Sequence, residues 1–93
     1  MRSQVWLYPG AGGWHFVTLP KQDAQTIRTT FGSLKRGWGS LPVTVTIGRT
    51  SWETSIFPDA QAESYVLPIK VEVRRKEKIS LGDDITFTIQ IRT

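Results

Sequence analysis

"LPIKVEVRRKEKISLGDDITFTIQI", Leu67 to Ile91, ends in the clearest periodicity of the chain. Ile85, Phe87, Ile89 and Ile91 alternate with Thr86, Thr88, Gln90 and Arg92, the period-two signature of a strand with one buried face. Just before it, "ISLGDD" sets Ile79 and Leu81 around a turn at Gly82-Asp83. The middle of the stretch reads two ways. Ile69, Val71 and Val73 alternate and would extend the strand "YVLPI". Glu72 and Lys76, however, stand four apart, and Val73 and Lys76 three apart, as neighbours on a helix do. Local propensity leaves the two near even, and we take a strand ending near Pro68 or Ile69 followed by a short helix of two turns.

The rest of the chain extends this β-rich pattern. "PVTVTI" (Pro42 to Ile47) alternates Val43, Val45 and Ile47 against Thr44 and Thr46, and "GRT" connects it tightly to an antiparallel partner, "SWETSIF". "PDAQAES" is a polar loop leading into "YVLPI". Near the N-terminus, "QVWLY" and "WHFVTL" flank the dense turn signal "PGAGG", which predicts a hairpin with a glycine-rich loop. Pro20 then opens "PKQDAQTIRTTFG", where Ala24, Ile27 and Phe31 fall at helical spacing and Gly32 suits the C-terminus. Threonines weaken this helix, so its apolar stripe must hold it by packing. The expected core is Trp14, Phe16, Ile27, Phe31, Val43, Val45, Ile47, Trp52, Ile56 and Leu67, completed by Ile79, Leu81, Ile85, Phe87 and Ile89.

Composition bounds the class. At 93 residues, without repeats or linkers, the chain is expected to be one domain spanning 1–93. With 39% hydrophobic and 22% charged residues it reads as an ordinary soluble globular protein. Four Trp help a small core, because each large ring buries about 150–250 Å². The absence of Cys removes disulfides, thiolate metal sites and cysteine nucleophiles, and suits the cytoplasm. No apolar run approaches the roughly 20 residues that span a bilayer, and "MRSQVWLYPGAGG" reaches Pro9 and Gly10 before any leader-like run forms. A net charge of +4 permits weak, non-specific attraction to nucleic acid.

The motifs "WHFVTLP", "RGWGSLPVTVTIG", "TSIFP", "YVLPIK" and "VRRKEKISLGDDITFTI" occur here in the order found in a small bacterial family, domain of unknown function 1905. The chain resembles that family from about Trp14 to Ile91. The resemblance implies a mainly β fold: a small, partly split β-barrel with one helix after the second strand and a short helix before the last. It implies no activity. Val73 to Asp83 is also similar to the helix-plus-"GD" element of AbrB/MazE-type barrels, which dimerise and bind DNA. Those elements usually carry Gly where Lys78 stands, because a left-handed helix C-cap favours it.

Catalytic chemistry finds little purchase. His15, the only histidine, lies in a strand pattern and is expected to face solvent rather than act as a base. Asp83-Asp84 has no second ligand cluster at metal-binding spacing, and is expected to shape the turn. Thr54 and Ser55 lack a recognisable base and oxyanion donors. "GAGGW" lacks the Lys-Ser/Thr of a phosphate-binding loop. No catalytic residue, metal or cofactor is therefore expected.

The better candidates are basic and aromatic. Arg36 beside Trp38 joins charge to a stacking face, while Lys70 and Arg74 lie one helical turn apart. The competing structural reading has Trp38 closing one end of the fold and the cations of Arg74-Arg75-Lys76 solvated, with Glu72 pairing Lys76. The leading function is a non-enzymatic binding or interaction module for an unknown ligand or protein partner, as monomer or homodimer. An AbrB-like nucleic-acid-binding protein is the alternative, and a small hydrolase the least favoured. For the fold, Phe87→Ala is expected to cost about 3–5 kcal/mol in a denaturant melt, most of the stability of a domain this small. An unchanged melt would mean that the last strand faces the other way.

Overall fold

The computed structural model describes residues 1–10, 12–34 and 39–92, the side chain of Leu34 excepted. In chain order these form β1 (Arg2–Gln4), β2 (Trp6–Leu7), β3 (His15–Thr18), α1 (Lys21–Phe31, tightening into a 3-10 turn), β4 (Leu41–Ile47), β5 (Thr50–Asp59), β6 (Ser64–Pro68), α2 (Val71–Glu77), β7 (Asp84–Thr86) and β8 (Thr88–Ile91). A six-stranded sheet runs β2-β3-β6-β5-β4-β8, and a two-stranded sheet pairs β1 with β7. Each of these ladders is antiparallel.

The fold is mainly β, with helices where the sequence placed them. The described ladders do not close into the expected barrel. The reason lies in the last strand, which changes partners at buried Phe87: its first half pairs with β1 and its second half with β4. The N-terminal strand does the same at buried Val5, between β1 and β2. The predicted facing of the last strand is otherwise found, with Ile85 and Phe87 buried and Ile89 and Ile91 packed against the core.

β4 and β5 meet over seven paired positions, joined at Gly48 by a tight turn with φ +56°. Two-residue hairpin loops favour such positive φ because their twist then matches that of the strands. Buried Val43, Val45 and Ile47 alternate as expected, with Trp52 opposite Val45. α1 buries Ala24 and Ile27 and sets Arg28 over the Tyr65 ring of β6, 6.0 Å from its centroid.

One strand is inverted relative to expectation. Trp14 and Phe16 were expected inside, but Val17 and Leu19 take the core face, Val17 opposite fully buried Leu67. Trp14 is 56% exposed, and Phe16, opposite Pro68, faces outward. Aliphatic side chains from β3 and β6 fill the interior, so the rings lie on the other side. Leu81 is also outside, 54% exposed, in the turn before β7.

The competing readings of Lys70 to Lys78 resolve to strand, then helix. The Ile69 amide makes a final ladder bond to His15 O (2.9 Å), Lys70 remains extended, and α2 buries Val73. Lys78 ends it at φ 55°, ψ 48°, and the Ile79 amide reaches back to Arg74 O (2.8 Å), the six-to-one bond of a Schellman cap. A side chain in this left-handed conformation is strained relative to glycine. Lys78→Gly is therefore expected to be neutral or stabilising by up to about 1 kcal/mol in a thermal or denaturant melt; clear destabilisation would contradict the cap.

Candidate functional site

The inversion of β3 builds the most distinctive surface of the molecule. Trp6 and Phe16 stand opposite each other across the β2–β3 ladder, ring centroids 5.2 Å apart. Trp14 also stacks on Phe16, at 6.1 Å and 13°, and Tyr8 meets Phe16 edge-on, also at 6.1 Å. Such offset and edge arrangements stabilise aromatic pairs by about 0.5–1.5 kcal/mol beyond area burial. Trp6 also satisfies its indole N–H by donating to Thr18 Oγ1 (3.0 Å). The cluster is held internally, yet Trp14, Tyr8 (50%) and Phe57 of β5 (40%) remain open to solvent.

Between this row and the outward face of β5 lies an open groove of about 770 Å³. Phe57, Val66, Pro42 and Pro68 supply apolar walls, and Thr54 and Ser55 contribute hydroxyl-bearing side chains. At the rim, Arg92 Nη1 lies 3.4 Å from Glu53 Oε1, both side chains about half exposed. A concave, largely apolar site with a few convergent polar groups is the usual form of a ligand pocket.

A second groove of about 360 Å³ adjoins the first, sharing Trp14, Glu53, Thr54 and Pro68 with it. It adds His15, Lys70 and Arg74. The His15 Nδ1–H donates to Gly13 O (2.7 Å), since a carbonyl can only accept. Arg74 Nε donates to Ile69 O (3.0 Å), and Lys70 Nζ lies 3.8 Å from Glu72 Oε2. Glu72 thus meets Lys70, the extended residue just before α2, rather than the expected Lys76. Arg75, Lys76 and Lys78 are exposed.

Two of the sequence candidates, Lys70 and Arg74, line this one groove. Arg36 and Trp38 lie outside the described residues. His15 lines the same groove, half-buried rather than simply facing solvent. Asp83 shapes its turn as expected, accepting from the Ser80 amide at 2.8 Å. Among the described residues, no group of three or more His, Cys, Asp or Glu could hold a metal ion. Nor is any helix among them long and apolar enough to cross a membrane.

Residues 2–89 match the model of DUF1905, a domain of unknown function. The chain belongs to that family. None of the curated proteins matches it. In this DUF1905 chain the aromatic groove is not legible in the sequence from ring size alone, because large rings are as often core as surface. The available signal was that β3 offers two apolar faces, Trp14 with Phe16 and Val17 with Leu19. Since Trp14 stands outside the core, Trp14→Ala is expected to cost no more than about 1.5 kcal/mol in a melt, the worth of one aromatic pair. A loss near that of a buried aromatic, about 3–5 kcal/mol, would return Trp14 to the core.

Proposed function

We propose that this chain is a non-enzymatic binding module whose ligand lies in the aromatic groove. The carrying observation is the set of three half-exposed rings, Tyr8, Trp14 and Phe57, around one concavity on the sheet. Contiguous exposed apolar surface of this kind marks interaction sites. Flat ring faces offer stacking area with little entropy to lose, while Ser55, Thr54 and the Glu53–Arg92 pair can orient polar edges of a ligand. The ion pair is solvent-exposed and worth no more than about 1 kcal/mol, so either partner can exchange it for a ligand group.

In this reading residues 1–93 make one domain, and the two sheets that share strands at Val5 and Phe87 are the halves of a split barrel. The cysteine-free composition suits work in the cytoplasm.

Flat heteroaromatic fragments, titrated by NMR, are expected to shift the amides of Phe16, Ser55 and Phe57. Trp14→Ala should weaken the same fragments about tenfold, a loss of ~1.4 kcal/mol, while the variant stays folded and loses no more than about 1.5 kcal/mol in a melt. Fragments that shift only residues far from the groove, or whose affinity ignores Trp14→Ala, would sink the proposal.

A further inference from the structure

We infer that the ligand is single-stranded nucleic acid, with bases stacked on Trp14 and Tyr8 and phosphates held by Lys70 and Arg74. The inference rests on the groove being the binding site and adds the class of its occupant.

Three observations carry it. First, Trp14 is a shared wall: one groove beside it is aromatic, and the other holds Lys70 and Arg74. A ligand filling both must join flat rings to negative charge at short range, which is the chemistry of a nucleotide. Second, there is more than one stacking face. Tyr8 and Trp14 each contact Phe16 at 6.1 Å, and both remain half exposed, so a strand offering successive bases uses what a single nucleotide leaves empty. Third, the second groove holds cations that an anion can use, and Glu53, the carboxylate that lines both grooves, is paired with Arg92 at 3.4 Å. The chain carries +4, and the two groove cations are only lightly engaged. Lys70 faces Glu72 across 3.8 Å, with both side chains at least half exposed, and Arg74 spends its Nε on Ile69 O. Exposed pairs of that kind yield readily to a phosphate.

The same features argue against duplex DNA. Bases can stack on protein rings only when they are unpaired. Two cations are also too few to grip a duplex through its backbone. Thr54 and Ser55, neutral and at the groove wall, suit base edges rather than phosphates.

The test is fluorescence anisotropy with a labelled oligouridylate, alongside a duplex of the same length and competition by uridine monophosphate, over a salt series. The wild type should bind the oligomer at least tenfold more tightly than either control. Its affinity should fall with salt at a log–log slope of about −1.4, for two phosphates on a single strand. Trp14→Ala should weaken binding about tenfold with the slope preserved. Lys70→Gln/Arg74→Gln should flatten the slope, and circular dichroism melts should show that both variants stay folded. Preference for the duplex, equal binding of the monophosphate, or indifference to Trp14→Ala would each overturn the inference. If the oligomer fails to bind while heteroaromatic fragments still lose affinity in Trp14→Ala, the nucleic-acid assignment falls and the groove stands. If Trp14→Ala affects neither probe, both fall.

Discussion

Phe87 exchanges two backbone hydrogen bonds with Met1: its amide donates to Met1 O (2.8 Å), and the Met1 ammonium donates to Phe87 O (2.7 Å). Four residues along, the Val5 amide donates to Asp83 O, and Val5 O accepts from the Gly82 amide. The first strand is thereby fixed along the last, and the buried side chains of Val5 and Phe87 sit where each strand changes sheets. Buried backbone groups must find partners, and here the segments around β1 and β7 supply them to each other. Everything at the N-terminus inherits its position from this ladder. β2 continues from Val5, and β3 is registered on β2, so Trp6, Phe16 and Trp14 are held to one face.

The outward rings are secured from below by polar contacts as well as by packing. Ser3 Oγ donates to Thr18 O, and buried Ser64 donates to Leu19 O, both at 2.7 Å. The Leu19 amide in turn donates to Tyr65 O, extending the β3–β6 ladder past its last paired strand position. Phe16 and Phe57 stand on the sheet strands themselves, whereas Tyr8 and Trp14 just flank β2 and β3 and are tied to each other by the Tyr8 amide donating to Trp14 O (2.9 Å). Side chains held on or beside paired strands have less ordering entropy left to lose on binding.

α2 couples the cations to the same sheet. At its C-terminal end the Glu77 carboxylate accepts from Thr50 Oγ1 (2.6 Å) and lies over Gly48, where an added Cβ would strike it. The left-handed Lys78 then releases the chain into the turn before β7. Docked on the β4–β5 hairpin at one end and tied to β3 through Ile69 at the other, the helix has little freedom to rotate. Arg74 and Lys70 are consequently held beside Trp14, although they come from a different part of the chain.

The sequence by itself determined what depends on near neighbours: the alternation of Val43 to Ile47 and of Ile85 to Ile91, the glycine turns and the apolar stripe of α1, while strand and helix after Ile69 stayed near even until α2 buried Val73. These follow from backbone geometry and side-chain period, which a short window contains. It also singled out Lys70 and Arg74 as a pair. Tertiary structure decided the rest. Alternation in "WHFVTL" offers two apolar faces without saying which meets the interior, and only pairing with Leu67 turned Val17 inward and Trp14 outward. Likewise, no local rule divides the alternating run Ile85 to Ile91 into β7 and β8 with different partners at Phe87, since that depends on where Met1 and β4 lie in space. The groove exists because of those two long-range choices. Periodicity could name its residues but could not bring them together.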